Sequence, residues 1–210
     1  MDTRKIIDIT LPIENGMAIY PGNKPVEISS WHSIDRGDSS NLSSVCFGSH
    51  TGTHIDAPFH GSMDGKTLRE ISLSVFVGKC KVFDLSACEK CVKKEDLENK
   101  NIEEGDRVLL KTQNSIRGLT EFYDDYVFLD GDAAEYLASK GVVLVGIDSL
   151  SIKERGSKDN RPHSALLSKD IAIIEGLSLK NAPEGEYELL CLPLSLDIDG
   201  APARVVLISK

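Results

Sequence analysis

Between Ser49 and His60 the chain reads S-H-T-G-T-H-I-D-A-P-F-H, which sets His50, His54, Asp56 and His60 within eleven positions. The whole chain has five histidines, so most of its imidazole is concentrated here. Imidazole nitrogen and carboxylate oxygen at this density suit a divalent cation. A satisfied core imidazole, the ordinary explanation for one histidine, does not account for three beside an aspartate. Side chains two apart in an extended segment share a face. His54, Asp56 and His60 are therefore expected on one side of a strand or stretched loop. His50 joins them if Gly52, lacking a Cβ, lets the backbone bend. Pro58 forbids a central, fully paired strand and marks an edge or a strand end.

A second group lies far downstream. A polar stretch from Asp148 to Arg161 delivers Arg161-Pro162-His163, and the apolar run Ile171 to Ile174 ends in Glu175-Gly176. Taken alone, His163 reads first as an exposed loop residue and Glu175 as a solvated strand end.

The first run completes the pattern H-x-G-T-H-x-D-x-P-x-H at His50, Gly52, Thr53, His54, Asp56, Pro58 and His60. This resembles the signature of the metal-dependent cyclase-like hydrolases, which include kynurenine formamidase and isatin hydrolase. G-I-D-S-L-S (Gly146 to Ser151) and the stretch from Ile173 to Leu207 look like that family's C-terminal third. The resemblance spans nearly the whole chain and is strongest over Gly48–His60 and Val142–Leu207. It implies that His163 and Glu175 complete a metal site with His50, His54 and Asp56. Five ligands are too many for one tetrahedral zinc with an open position. A pair of Zn2+ ions about 3.5–4 Å apart, bridged by Asp56 and a water, uses them all. His50, His54 and Asp56 then hold one ion, and Asp56, His163 and Glu175 the other. A single five- or six-coordinate Mn2+ is the alternative, and the donor set suits either metal.

His60 falls outside that ligand set, and the resemblance implies a general acid/base role for it. An imidazole with a pKa near 6.5 can take a proton from water and return it to a leaving nitrogen. Thr53 either bonds a ligand or an oxyanion, or serves the turn. The resemblance also suggests that Tyr20, in the turn Tyr20-Pro21-Gly22-Asn23, or Trp31 walls the substrate pocket; ordinary core aromatics are the alternative. One departure from the family pattern is Lys153-Glu154, where an Asp usually follows soon after the Ser. The loop between Ser151 and His163, and with it the substrate, stays open.

The reaction implied is metal-dependent hydrolysis of an amide-type C–N bond. N-formylkynurenine, giving kynurenine and formate, is the leading substrate. The alternative is a cyclic amide or lactone hydrolase, isatin hydrolase-like, with manganese as a candidate metal. A non-catalytic metal-binding protein is a different class, but such a site has no use for an unligated His60. A cysteine nucleophile at Cys46 would need an adjacent base and a depressed pKa. Family members are commonly dimers or tetramers, so a homo-oligomer is expected.

At 210 residues, 40% hydrophobic and 27% charged, the chain fits a single globular domain over residues 1–210, which the resemblance implies is a cyclase-like metal-dependent hydrolase domain. A net charge of −9 argues against nucleic-acid and acidic-membrane partners. It favours neutral or cationic small molecules unless a metal dominates locally. The start, M-D-T-R-K-I-I-D-I-T-L-P-I, shows no leader pattern, and no run is long enough to span a membrane. A cytoplasmic enzyme is expected. Five cysteines, an odd number, read as free thiols. Cys88-Glu-Lys-Cys91, with Cys80 upstream, lacks the fourth ligand and the spacing of a zinc knuckle.

Strands are expected over Lys5–Ile13, Val26–Ile34, Leu42–Gly48, Lys79–Leu85, Arg107–Lys111, Val142–Ile147, Ile171–Ile174, Tyr187–Ser195 and Ala203–Ile208. A tight turn, Asp197 to Gly200, joins the last two. Helices are expected within Leu68–Phe76, over Lys94–Asn99, after an Asp132 cap as far as Gly141, and as one turn at Ser164–Ser168. Strands outnumber interspersed helices, which indicates an α/β domain with a mixed sheet. The resemblance implies the cyclase-like swivelling β/β/α fold.

Overall fold

The computed structural model describes residues 4–209. Met1 to Thr3, the start of the stretch read as free of a leader, lie outside them. The elements run β1 (Ile6–Asp8), β2 (Glu27–His32), β3 (Leu42–Cys46), β4 (His54–Asp56), α1 (Pro58–Gly61), α2 (Leu73–Phe76), β5 (Val77–Asp84) and β6 (Cys91–Val92). They continue α3 (Lys94–Glu98), β7 (Arg107–Lys111), α4 (Gln113–Arg117), β8 (Phe128–Leu129), α5 (Gly131–Ser139) and β9 (Leu144–Ile147). The last are α6 (Arg161–Leu167), β10 (Ala172–Glu175), β11 (Gly185–Pro193) and β12 (Gly200–Ile208).

The main sheet has eight strands in the order β1-β12-β11-β5-β7-β9-β10-β4, and β4 returns to pair with β12. That last pairing, Asp56 opposite Gly200 and His54 opposite Pro202, closes the sheet into a barrel-like ring. Strands β5, β7, β9 and β10 are mutually parallel, and the other pairings of this sheet are antiparallel. The fold is thus the mixed-sheet α/β architecture expected. Parallel strands buried on both faces alternate between two apolar layers. Leu109, Leu144 and Ile174 point into one core with Ile9, Ile55, Phe76, Leu189 and Val205. Val108, Val145 and Ile173 point into the other, under Leu97 of α3, Leu137 of α5 and Leu166 of α6.

Several elements differ from the sequence expectation for local reasons. β1 stops at Asp8 because Thr10 meets the ladder with its side chain: its hydroxyl accepts from Val205 N–H (2.8 Å) and donates to Val205 O (3.0 Å). The cap of α5 is Asp130, whose carboxylate accepts from Asp132 N–H, and not Asp132. Leu68–Phe76 holds two short turns, at Leu68–Glu70 and Leu73–Phe76. Strands β6 and β8 and helix α4 had no periodic signal. α4 is fixed instead by buried Asp148 at the end of β9, which accepts from Thr112 N–H (2.8 Å), Thr112 Oγ1 (2.7 Å) and Ser115 N–H (3.0 Å). Trp31 is not a core residue and does not line this chain's own cavity: it lies on the β2–β3 hairpin, 69% exposed. All five cysteines are free. Among the described residues no helix is long and apolar enough to cross a membrane.

Candidate metal centre

The site is built where β4 lies between β10 and β12. Alternation along β4 puts His54 and Asp56 on one face, both buried, and Ile55 in the core on the other. Before the strand, Gly52 takes a left-handed φ of +61° and turns the chain so that His50 reaches the same side. Thr53 works in the turn: its hydroxyl donates to Gly176 O (2.5 Å) and accepts from Leu11 N–H (2.8 Å). The extended run ends at Asp56. Pro58 then occupies the first turn of α1, where its missing N–H costs nothing, and His60 arrives from that short helix rather than from a stretched strand.

β10 runs antiparallel to β4 with Glu175 directly opposite His54, so their side chains are cross-strand neighbours. The register depends on Gly176, at φ +70°, whose added Cβ would fall 2.4 Å from Gly52 O. Gly176→Ala is therefore expected to cost about 1–3 kcal/mol for backbone conformation alone. It should lower the thermal midpoint and weaken metal uptake together; an unchanged melting curve would contradict this. His163 sits in α6, which begins at Arg161 and packs against α1, whereas the sequence suggested that Arg161 to His163 belonged to a loop. Pro162 explains the difference, since a proline in the first helical turn favours helix initiation.

Seven chemistry-bearing side chains meet. His50 Nδ1 is 2.8 Å from Asp56 Oδ1, and His54 Nε2 is 3.4 Å from both Asp56 Oδ1 and Glu175 Oε2. His163 Nε2 lies 3.3 Å from Glu175 Oε1 and 3.7 Å from Asp56 Oδ2. Ligand-capable atoms of His50, His54 and Asp56 form one trio within 4.8 Å of one another, and those of Asp56, His60 and His163 form another. The second trio brings in His60 where Glu175 was expected. Glu175 Oε1 is instead also engaged by Ile152 N–H at 2.6 Å. The seventh residue, Asp199, was read only as part of a turn. Its Oδ2 is 2.6 Å from His50 Nε2 and 3.7 Å from His60 Nδ1. No local spacing marks it; ring closure puts it there, with Ala57 N–H donating to Asp199 O (2.8 Å).

The polar atoms fit a cation. His54 Nδ1–H donates to Gly52 O (2.9 Å), which directs Nε2 into the cluster. His54 Nε2 and both Asp56 carboxylate oxygens are buried and meet no partner in hydrogen-bond geometry, although His50 Nδ1 stands close to Asp56 Oδ1. Burying such groups unsatisfied is costly, and a divalent ion among them removes the cost. Burial opposes charge on His54, but Asp56 and Glu175 outweigh it and push its pKa up to about 10. Burial likewise opposes ionised Asp56, yet His50 and His54 hold its carboxyl well below the usual range. Burial lowers the His60 imidazole, which favours its neutral form. The cluster opens into a cavity of about 390 Å3 whose walls include Tyr20, His60, Leu150, Lys153, Asn160 and His163.

Comparison with known proteins accords with this chemistry. The Cyclase family model, described as "Putative cyclase", matches residues 7–154. A kynurenine formamidase of Bacillus cereus (strain ATCC 10987 / NRS 248) is 39% identical over 209 residues, covering 99% of each chain. A solved structure named "predicted metal-dependent hydrolase from Bacillus stearothermophilus" has 39% identity and a TM-score of 0.88, covering 99% of this chain and 100% of that one. An isatin hydrolase solved with the product analogue thioisatinate shares the fold, with a TM-score of 0.85 at 21% identity over 99% of this chain and 93% of that one.

Proposed function

Because this chain belongs to the Cyclase family, we propose that it is a metal-dependent hydrolase of amide-type C–N bonds that converts N-formylkynurenine to kynurenine and formate. The observation that carries the chemistry is the buried Asp56 carboxylate and His54 Nε2, without a partner in hydrogen-bond geometry, beside an imidazole that borders the cavity. The full-length likeness to a kynurenine formamidase supports the substrate.

The donors are imidazole and carboxylate without thiolate, which suits zinc or manganese. The loading we propose is two Zn2+: His50, His54 and Asp56 for one, and Asp56, His163 and Glu175 for the other. A divalent cation so held supplies Lewis acidity, lowering the pKa of bound water to about 7 and polarising the scissile carbonyl. The protein does the rest. The Gly52 carbonyl fixes the His54 tautomer, and the Ile152 N–H orients Glu175. His60 Nε2 accepts the proton of the attacking water and returns it to the aryl nitrogen as formate separates. Asp199, beside His60 Nδ1, stabilises the imidazolium formed in between. Cyclic-amide opening would use the same atoms, so the substrate must be decided by assay.

The deciding experiment is metal content of the purified protein, followed by turnover of N-formylkynurenine and isatin after reconstitution. About two zinc ions per chain with formamidase activity is the expected result. Activity confined to isatin with manganese would move the substrate and keep the site. No bound metal, and no thermal stabilisation on adding zinc or manganese, would overturn the reading. We also propose a homo-oligomer: Trp31, Ile34 and Val45 on and beside the β2–β3 hairpin are all more than half exposed, apolar surface that a second copy would cover. A monomeric mass by light scattering would refute that.

A further inference from the structure

We infer that Lys153 sets substrate preference in this cavity: its ammonium receives a carboxylate that the substrate carries away from the scissile amide. The inference rests on the formamidase reading, because N-formylkynurenine bears such a carboxylate on its amino-acid end. Among the described residues lining the cavity, Lys153 is the one lysine or arginine. It shares the cavity wall with His60, His163 and Glu175, and its charge opposes protonation of His163.

Its placement is fixed from the backbone. The preceding residue, Ile152, donates its N–H to Glu175 Oε1 at 2.6 Å. Lys153 N–H donates to Ser151 Oγ (3.3 Å), and Tyr126 Oη donates to Lys153 O. The root of the side chain is thus tied directly to a candidate metal ligand, while the four-carbon stem leaves the ammonium free to reach.

The ammonium also lacks a carboxylate at ion-pair distance among the described residues, Asp159 acting on it only at longer range. The neighbouring Asp159 is taken by Arg161, with Nε 3.0 Å from both carboxylate oxygens. Glu154 pairs with Lys90 at 3.2 Å. Lys153 Nζ has one hydrogen bond, to the neutral Asn160 Oδ1 at 3.3 Å, and no ion pair among the described residues. A bare cation beside a site built to hold further cations is unfavourable by itself. An anionic group on the substrate removes that repulsion, and a carboxylate is the group that an ammonium at hydrogen-bond range takes well. The chemical class selected is an amide with a remote carboxylate, which isatin and simple aryl formamides lack.

The test is Lys153→Met, which keeps the stem and removes the charge, assayed on the metal-loaded enzyme with N-formylkynurenine and with formanilide. Expected is a loss of roughly 10- to 50-fold in kcat/KM for N-formylkynurenine, the loss residing in KM. Formanilide turnover should hold within about twofold, and Lys153→Arg should restore most of the lost preference. Equal loss on both substrates, or no loss on N-formylkynurenine, would overturn the inference. If the wild-type protein hydrolyses neither formamide, the formamidase reading fails, and calorimetric binding decides Lys153 separately. Kynurenine should then bind the wild type at least about 10-fold more tightly than 2-aminoacetophenone, which has no carboxylate, and Lys153→Met should erase the difference. Equal binding of the two by the wild type would refute the role outright.

Discussion

Replacing His60 with alanine is expected to lower kcat about 100- to 10,000-fold while the protein retains its metal. The size follows from what a positioned general acid/base contributes. The selectivity follows from where His60 sits. Its side chain is 35% exposed, on a helix of four residues at the cavity wall, so truncation leaves little unsatisfied and no core cavity. The residual rate should lose the limb of the pH profile that reports a neutral base. Metal analysis is as important as the rate, because His60 also stands within ligand distance of Asp56 and His163. Loss of metal along with activity would make His60 a ligand and transfer the proton-handling role elsewhere. Full activity in the variant would end the catalytic reading of His60 and place the proton transfer on another group.

Asp56→Asn should have the larger effect on the metal itself. Asp56 is fully buried, belongs to both ligand trios, and neither of its oxygens meets a partner in hydrogen-bond geometry. Structural zinc sites bind with about 10–16 kcal/mol shared among four ligands. One ligand therefore contributes about 2.5–4 kcal/mol, or roughly 100- to 1,000-fold in affinity. A carboxylate shared by two ions loses that at each. The expected outcome is purified protein with little metal, no measurable turnover, and no rise in melting temperature when zinc is added, where the wild type gains stability by mass action. Wild-type metal content in Asp56→Asn would mean that the cation lies elsewhere.

The chemistry was more legible in the sequence than the means of assembling it. His54 and Asp56 share a face because they are two apart on a strand, and the residue types alone named a cation. Val142–Ile147 and Ile171–Ile174 were readable as strands because continuous apolar runs suit a sheet covered on both sides, and the bounds of β9 and β10 differ from them by at most two residues. Pro58 was ambiguous: the same ring that ends a strand opens a helix, and only packing of α1 on α6 decides between them. Asp199 was illegible for a different reason. It meets His50 across 149 positions, through a strand pairing that no local pattern encodes. Thr10 and Thr112 escaped notice because side-chain hydroxyls that substitute for backbone ladders and caps leave no periodic trace.

The closing of the ring has a consequence for how the protein is made. The ribosome delivers His50 149 positions before Asp199, and β12, which completes the second edge of β4, follows later still. At a synthesis rate of about 5–20 residues per second, that interval is about 7–30 s. Throughout it the histidine-rich strand has neither its Asp199 contact nor its β12 neighbour, and for most of it Glu175 on β10 is also unmade. Nascent chains therefore expose three closely spaced histidines and an aspartate in an unfinished sheet, able to collect ions loosely and in the wrong geometry. A selective metal site therefore has to wait for the final strand, because only its docking brings β4 and Asp199 into their finished arrangement.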